Sequence, residues 1–188
     1  MFSEFAEVSS ATWGVIVALL LVGVVVFAVS KDKKRWTARM LANGALCIAL
    51  STVLSFITLY KMPQGGSITL ASMLPMFLFA YAYGVGPGML VGAAYGFVQF
   101  LQGGLYFVHP VELLLDYPLA FAMLGLAGLS NKFSDQWGMI PGIILGTFGR
   151  FVCAFLSGLI FFGMYAPEGQ NVVIYSMVYN GLYLVPEA

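Results

Sequence analysis

Seven apolar runs separated by short polar breaks occupy almost all of the 188 residues, and they decide what the chain can fold into. A helix that crosses a bilayer needs about 20 mostly apolar residues. Residues 11–30 form the first such run, ended by Lys31, Asp32, Lys33, Lys34 and Arg35. The second covers 37–60 and the third, slightly short, 68–84, with the polar stretch 61–67 between them. The fourth, 86–104, is rich in glycine, and Gly103-Gly104 punctuates its end. The fifth covers 111–130, and 131–138 is a polar turn. The sixth, 139–165, is long and is broken by 166–170. The seventh, 172–185, reaches only about 14 residues, too few to span, so the complete chain is expected to finish this helix. The expected fold class is all-α, a polytopic transmembrane helix bundle.

Composition narrows the function. Hydrophobic residues make up 61% of the chain and charged residues 9%, against about a quarter charged in a soluble domain. So short and apolar a chain cannot cover itself with polar surface in water, and lipid removes that need. Eight basic and eight acidic residues leave no net charge, hence no basic field for nucleic acid. Cys47 and Cys153 sit inside apolar runs without a CxxC spacing and read as packing residues. With one histidine, no metal site and no cofactor are expected. Glu4 and Glu7 precede the first run and basic residues follow it, the reverse of a secretory signal's charge order. There is no GxSxG, HExxH or P-loop, so the chain reads as no enzyme and cannot bind ATP for itself. A transporter built this way draws energy from a partner or an ion gradient.

Basic residues set the expected direction. Four of the eight lie in 31–35, Arg39 follows, and Lys132 falls in the 131–138 turn. Counting spans puts both segments on one side, the cytoplasmic one. The N-terminus and the segments 61–67, 103–110 and 166–171 then lie outside.

The outer segments and the helix ends beside them hold most of the unusual residues: Gly65, Gly66, Tyr106, His109, Glu112, Asp116, Tyr117, Tyr175 and Asn180 among them. Glu112 and Asp116 are four apart and share a helix face. Asp116 lies about 9 Å down its helix from Pro110. A carboxylate at that depth is expensive and defaults to a functional role facing the bundle interior. Two readings stand for it: a ligand contact, or a structural pair with Arg150, the basic residue well inside a span. His109, before Pro110, reads as a cap or hydrogen-bonding residue. Asn180 reads as bonding across helices or to a ligand. Trp13, Trp36 and Trp137 lie near span ends, as interface residues do. Ala38, Ala42, Ala45 and Ala49 fall on one face of the second run, a stripe that lets another helix approach closely or serves ordinary packing inside the chain.

Lys61-Met62-Pro63-Gln64-Gly65-Gly66-Ser67, followed by Met73-Leu74-Pro75, resembles the first external loop of the ThiT (YuaJ) family. Its members are the thiamine-specific S components of energy-coupling factor (ECF) transporters. His109-Pro110-Val111-Glu112-Leu113-Leu114-Leu115-Asp116-Tyr117 resembles the family's fourth core helix. Gly158 to Phe162, Tyr165-Ala166, Tyr175-Ser176 and Asn180-Gly181 resemble its last two. The match covers residue 37 to the end. It implies two parts: an additional N-terminal helix with its basic loop, 1–36, and a six-helix S-component domain, 37–188.

The resemblance also implies a thiamine pocket near the outer face, in a bacterial cell membrane. The acidic pocket residue of the fourth helix falls on Asp116, beside Tyr117, and a pocket Tyr before that helix falls on Tyr106. The Tyr and Asn of the last helix fall on Tyr175 and Asn180, with Glu112 and His109 close by. A stacking Trp of the first loop has Gly66 in its place, one late in the fifth helix has Phe162, and a His two turns earlier has Ala154. These departures keep open another thiamine-like pyrimidine as ligand. The implied partners are a membrane-spanning scaffold subunit, met by the Ala38/Ala42/Ala45/Ala49 stripe, and two ATPases. Gly65-Gly66 would hinge a loop closing over the ligand. Two other classes are weighed against this: an intramembrane enzyme, for which only Glu112, Asp116 and His109 come near one another, and a stand-alone secondary transporter with Arg150 and Asp116 as a coupling pair.

Overall fold

The computed structural model describes residues 36–63, 65–103, 109–132, 137–167 and 169–188. The expected first span 11–30, the basic loop 31–35 and Tyr106 lie outside the described residues.

Helix α1, Ala38–Phe56, starts where the Thr37 hydroxyl accepts a hydrogen bond from the Met40 amide at 3.2 Å. Met40, Gly44, Ser51 and Ser55 turn one face inward, while Ala38, Ala42, Ala45 and Ala49 stand exposed on the other among the described residues. The second run is therefore not helical to residue 60. Ile57 leaves helical geometry, and Thr58–Lys61 (β1) pairs antiparallel with Ser67–Thr69 (β2), matching Thr58 to Thr69, Tyr60 to Ile68 and Lys61 to Ser67. β-branched and aromatic residues on both sides of a Pro- and Gly-bearing turn favour this hairpin over more helix.

The hairpin corrects the third run as well. Helix α2 covers only Leu74–Tyr83, with Pro75 in its first turn, because the stretch before it is strand and turn. Gly84, at φ 96°, ends α2 by donating its amide to the Ala80 carbonyl at 2.7 Å, and α3 follows at once as Val85–Gln102. The remaining helices are α4, Pro110–Ser130; α5, Met139–Phe161; and α6, Val172–Glu187, capped by Asn171. A single 3-10 turn, Gly163–Tyr165, follows α5. Six helices among the described residues agree with the expected all-α bundle, and the hairpin is added to it. By length and composition, α1, α4 and α5 can each cross a membrane, and the chain is a membrane protein.

The α3–α4 contact fixes the centre of the bundle. Gly88, Gly92 and Gly96 fall four apart on α3. A Cβ on Gly92 would lie 2.3 Å from the Phe121 carbonyl oxygen, and one on Gly96 would lie 2.5 Å from that of Tyr117. Backbone thus meets backbone, the close approach that small residues permit between membrane helices. Tyr95, fully buried, packs edge-on against Phe121 at 5.0 Å and donates to the Ser51 carbonyl at 3.2 Å.

Candidate functional site

Helix α4 is built irregularly where it carries its acids. The His109 ring nitrogen accepts from the Val111 amide and the Glu112 carboxylate accepts from the His109 amide, both at 3.1 Å. That reciprocal cap holds the start of the helix. Five residues later the helix widens into a π turn, Leu115–Leu119. Pro118 has no N–H for the ordinary ladder, and the Ala120 amide reaches back to the Leu115 carbonyl. Such turns are frequent at functional sites. This one carries Asp116 and Tyr117.

The Asp116 carboxylate accepts a hydrogen bond from the Ser157 hydroxyl of α5 at 2.7 Å. Among the described residues it makes no ion pair with Arg150. The guanidinium lies 4.1 Å above the Phe121 ring centroid and points an N–H at the Met73 thioether. The structural pairing weighed for these two residues is therefore replaced by one partner set for each.

Both groups line a cavity of about 510 Å³ bordered by the end of α1, by α3, α4, α5 and α6, and by the hairpin, within the size range of small-molecule sites. Its walls carry three carboxylates, Glu112, Asp116 and Glu187, and two cations, Lys61 and Arg150. Helix α5 contributes Arg150, Ala154 and Gly158, each one turn from the next, and its C-cap residue Phe162 follows at the same four-residue spacing. Helix α6 contributes a ladder at the same spacing: Tyr175, Tyr179, Tyr183 and Glu187. Successive tyrosine rings stand 5.9 Å and 6.2 Å apart.

A polar seam joins these two helices. The Asn180 amide nitrogen donates to the Ala154 carbonyl at 3.2 Å and the Ser176 carbonyl at 2.9 Å, and the Ser176 hydroxyl donates to the Phe155 carbonyl at 2.8 Å. A Cβ on Gly158 would collide with Ser176 Oγ at 2.4 Å, so glycine there permits the seam. Two backbone acceptors fix the orientation of the Asn180 amide, and its Oδ1 takes no hydrogen bond from a described residue.

The hairpin closes one side. A Cβ on Gly66 would lie 2.8 Å from the Tyr183 ring, so the hairpin backbone rests directly on that ring. Glu187 accepts from the amide and hydroxyl of Thr69 and, at 2.9 Å, from the Ser72 hydroxyl.

Of the residues singled out from sequence, Gly66, Glu112, Asp116, Tyr117, Phe162, Tyr175 and Asn180 share this cavity. His109 does not line it; its ring stacks on Phe161 at 5.3 Å beside the helix start. Tyr179, Tyr183, Glu187, Gln99 and Gln102 line the cavity without having been anticipated. The four-residue repeat from Tyr175 was the readable signal for the first three.

A sequence profile described as "Thiamine transporter protein (Thia_YuaJ)" matches residues 41–188. The chain is 36% identical over 155 residues to the thiamine transporter ThiT of Bacillus subtilis, covering 76% of this chain and 80% of that one. It is 32% identical over 123 residues to the thiamine transporter ThiT of Lacticaseibacillus paracasei, covering 58% and 61%. A solved structure of ThiT from Listeria monocytogenes superposes with a TM-score of 0.69 at 27% identity, covering 79% of this chain and 86% of that one. These relatives are named as transporters, a role without catalysis. Since the profile runs through every described helix from α1 onward, the chain belongs to the thiamine transporter protein (Thia_YuaJ) family.

Proposed function

We propose that this chain is the substrate-capturing S component of an ECF-type importer, and that it takes up thiamine from outside the cell for ATP-driven transport. The observation that carries the reading is the Asp116 carboxylate, held by Ser157 on a widened helical turn inside a cavity walled by aromatic rings. Thiamine is a flat aromatic cation. A carboxylate answers its charge, and each aromatic face met by the cation adds roughly 0.5–2 kcal/mol. Tyr117, Phe162, Tyr175, Tyr179 and Tyr183 line the same space. Asn180 Oδ1 offers an acceptor to the aminopyrimidine. The Tyr183 ring against Gly66 supplies an aromatic surface where the hairpin carries no side chain of its own.

Energy for uptake comes from partner ATPases through a membrane scaffold. The exposed Ala38/Ala42/Ala45/Ala49 stripe of α1 is the proposed contact to that scaffold, since small side chains let helices approach closely. A stand-alone secondary transporter would use Asp116 and Arg150 as a coupling pair, and their separate partners speak against it.

Calorimetry on the purified full chain tests the site. A hydrogen-bonded charge contact contributes about 1.5–3 kcal/mol, so Asp116→Ala is expected to weaken thiamine binding about 10- to 150-fold. Unchanged affinity in that variant would remove Asp116 from the site.

A further inference from the structure

We propose that Arg150 forms an anion subsite in the cavity, and that the preferred ligand of this chain is a phosphate ester of thiamine rather than the free vitamin. The proposal rests on the thiamine reading above and extends it. Arg150 stands near the middle of α5 and lines the cavity. Cations inside a membrane bundle are costly, and they pair with acids or with backbone carbonyls. Arg150 does neither among the described residues. Its partners are the face of Phe121 and the Met73 sulfur. The ring accepts none of the guanidinium N–H groups in its plane, and a thioether is a weak acceptor. Most of a five-donor fork suited to bidentate phosphate binding is left for a ligand.

The neighbouring acids are engaged elsewhere. Asp116 receives Ser157, and Glu187 is bonded to Thr69 and Ser72. The cavity therefore has two poles. Along α5, Ser157, which marks the Asp116 level, lies seven residues or about 10 Å from Arg150. Along α4, Asp116 and Phe121 are five residues or about 7 Å apart. A ligand that satisfies both poles carries a cation and an anion at that separation. Thiamine places its cation in the thiazolium ring and ends in a hydroxyethyl tail. Esterified with phosphate, that tail becomes the anion the second pole lacks, and the cavity of about 510 Å³ leaves room for it.

Titration calorimetry of the full chain in neutral detergent compares thiamine, thiamine monophosphate, thiamine diphosphate and inorganic phosphate. At least one ester is expected to bind about tenfold or more tightly than thiamine, a gain of one charge-assisted contact. Arg150→Met is expected to bring that ratio close to one, and Arg150→Lys, with a point charge and no fork, to leave it intermediate. The ratio is taken within one preparation, so a misfolded fraction cancels, and the wild-type ratio stands without any variant. Equal or tighter binding of free thiamine overturns the subsite and leaves the thiamine reading intact. So does a ratio that survives Arg150→Met, inorganic phosphate binding as tightly as the ester, or loss of the ratio when phosphatidylglycerol is added to the micelles, which would assign Arg150 to a lipid headgroup. Binding of neither thiamine nor its esters overturns both proposals.

Discussion

Glu187 accepts from the Thr69 amide, the Thr69 hydroxyl and the Ser72 hydroxyl, and so ties the last turn of α6 to the end of the hairpin. An exposed edge would find water for that amide, but a buried one has only the carboxylate. Removing one partner of a buried hydrogen bond costs about 1–3 kcal/mol. Glu187→Ala is expected to lose about that much stability, read as a drop of several degrees in thermal midpoint in detergent, with Glu187→Gln retaining part of it. An unchanged midpoint in Glu187→Ala would show that the tie contributes nothing. Some of the site was legible at this scale and some was not. Asp116 stood out because a carboxylate within an apolar run is conspicuous, and Asn180 for a similar reason. Glu187 did not, since its partner Thr69 is 118 positions away and no local pattern joins them. Tyr179 and Tyr183 were hidden differently: in a chain that is 15% aromatic, a tyrosine reads as packing until its four-residue spacing is followed along the helix.

Among the elements, α3 and α4 decide where Asp116 and Tyr117 stand. Gly92 and Gly96 bring the α3 backbone against the carbonyls on and just after the π turn, so the turn is clamped from behind. Gly92→Leu would push side-chain atoms into the Phe121 carbonyl, 2.3 Å from where its Cβ would sit. Overpacking of this kind costs about 1–3 kcal/mol or more, and the shifted turn is expected to weaken thiamine binding as well. Gly181→Ala is the matched control. It has nothing within 4 Å and is expected to be neutral or stabilising by up to about 1 kcal/mol from helix propensity. Thermal midpoints and calorimetry on both variants check the pair; equal effects would refute the clamp. The helices were legible as apolar runs, although α2 fills only the latter part of its run. The hairpin was not, because Thr58–Lys61 and Ser67–Thr69 continue the apolar character of their neighbours, and only their pairing across the turn separates strand from helix.

For the whole molecule, the basic segments carry a prediction of direction. If 31–35 and 131–138 are cytoplasmic, the hairpin turn is expected to face outward. A single cysteine placed at Lys61, in a variant with Cys47 and Cys153 replaced by alanine, is expected to react with an impermeant maleimide added to intact cells. One placed at Trp137 is expected to react only after the membrane is opened. The reverse pattern would invert the bundle and turn the proposed importer around. The helical bundle and the membrane class were readable from the chain at this scale, whereas the cavity was not, because its walls come from parts of the chain that meet only after packing. Those walls have a further consequence. Along α5 and its C-cap the lining residues Arg150, Ala154, Gly158 and Phe162 follow one another at four-residue spacing. Arg150, Ala154 and Phe162 each govern one storey of the cavity, whereas Gly158 is fixed by the seam, since a Cβ there would collide with Ser176. A chain organised in this way can change its taste for ligands by single substitutions, one floor at a time, while the bundle around the cavity stays the same.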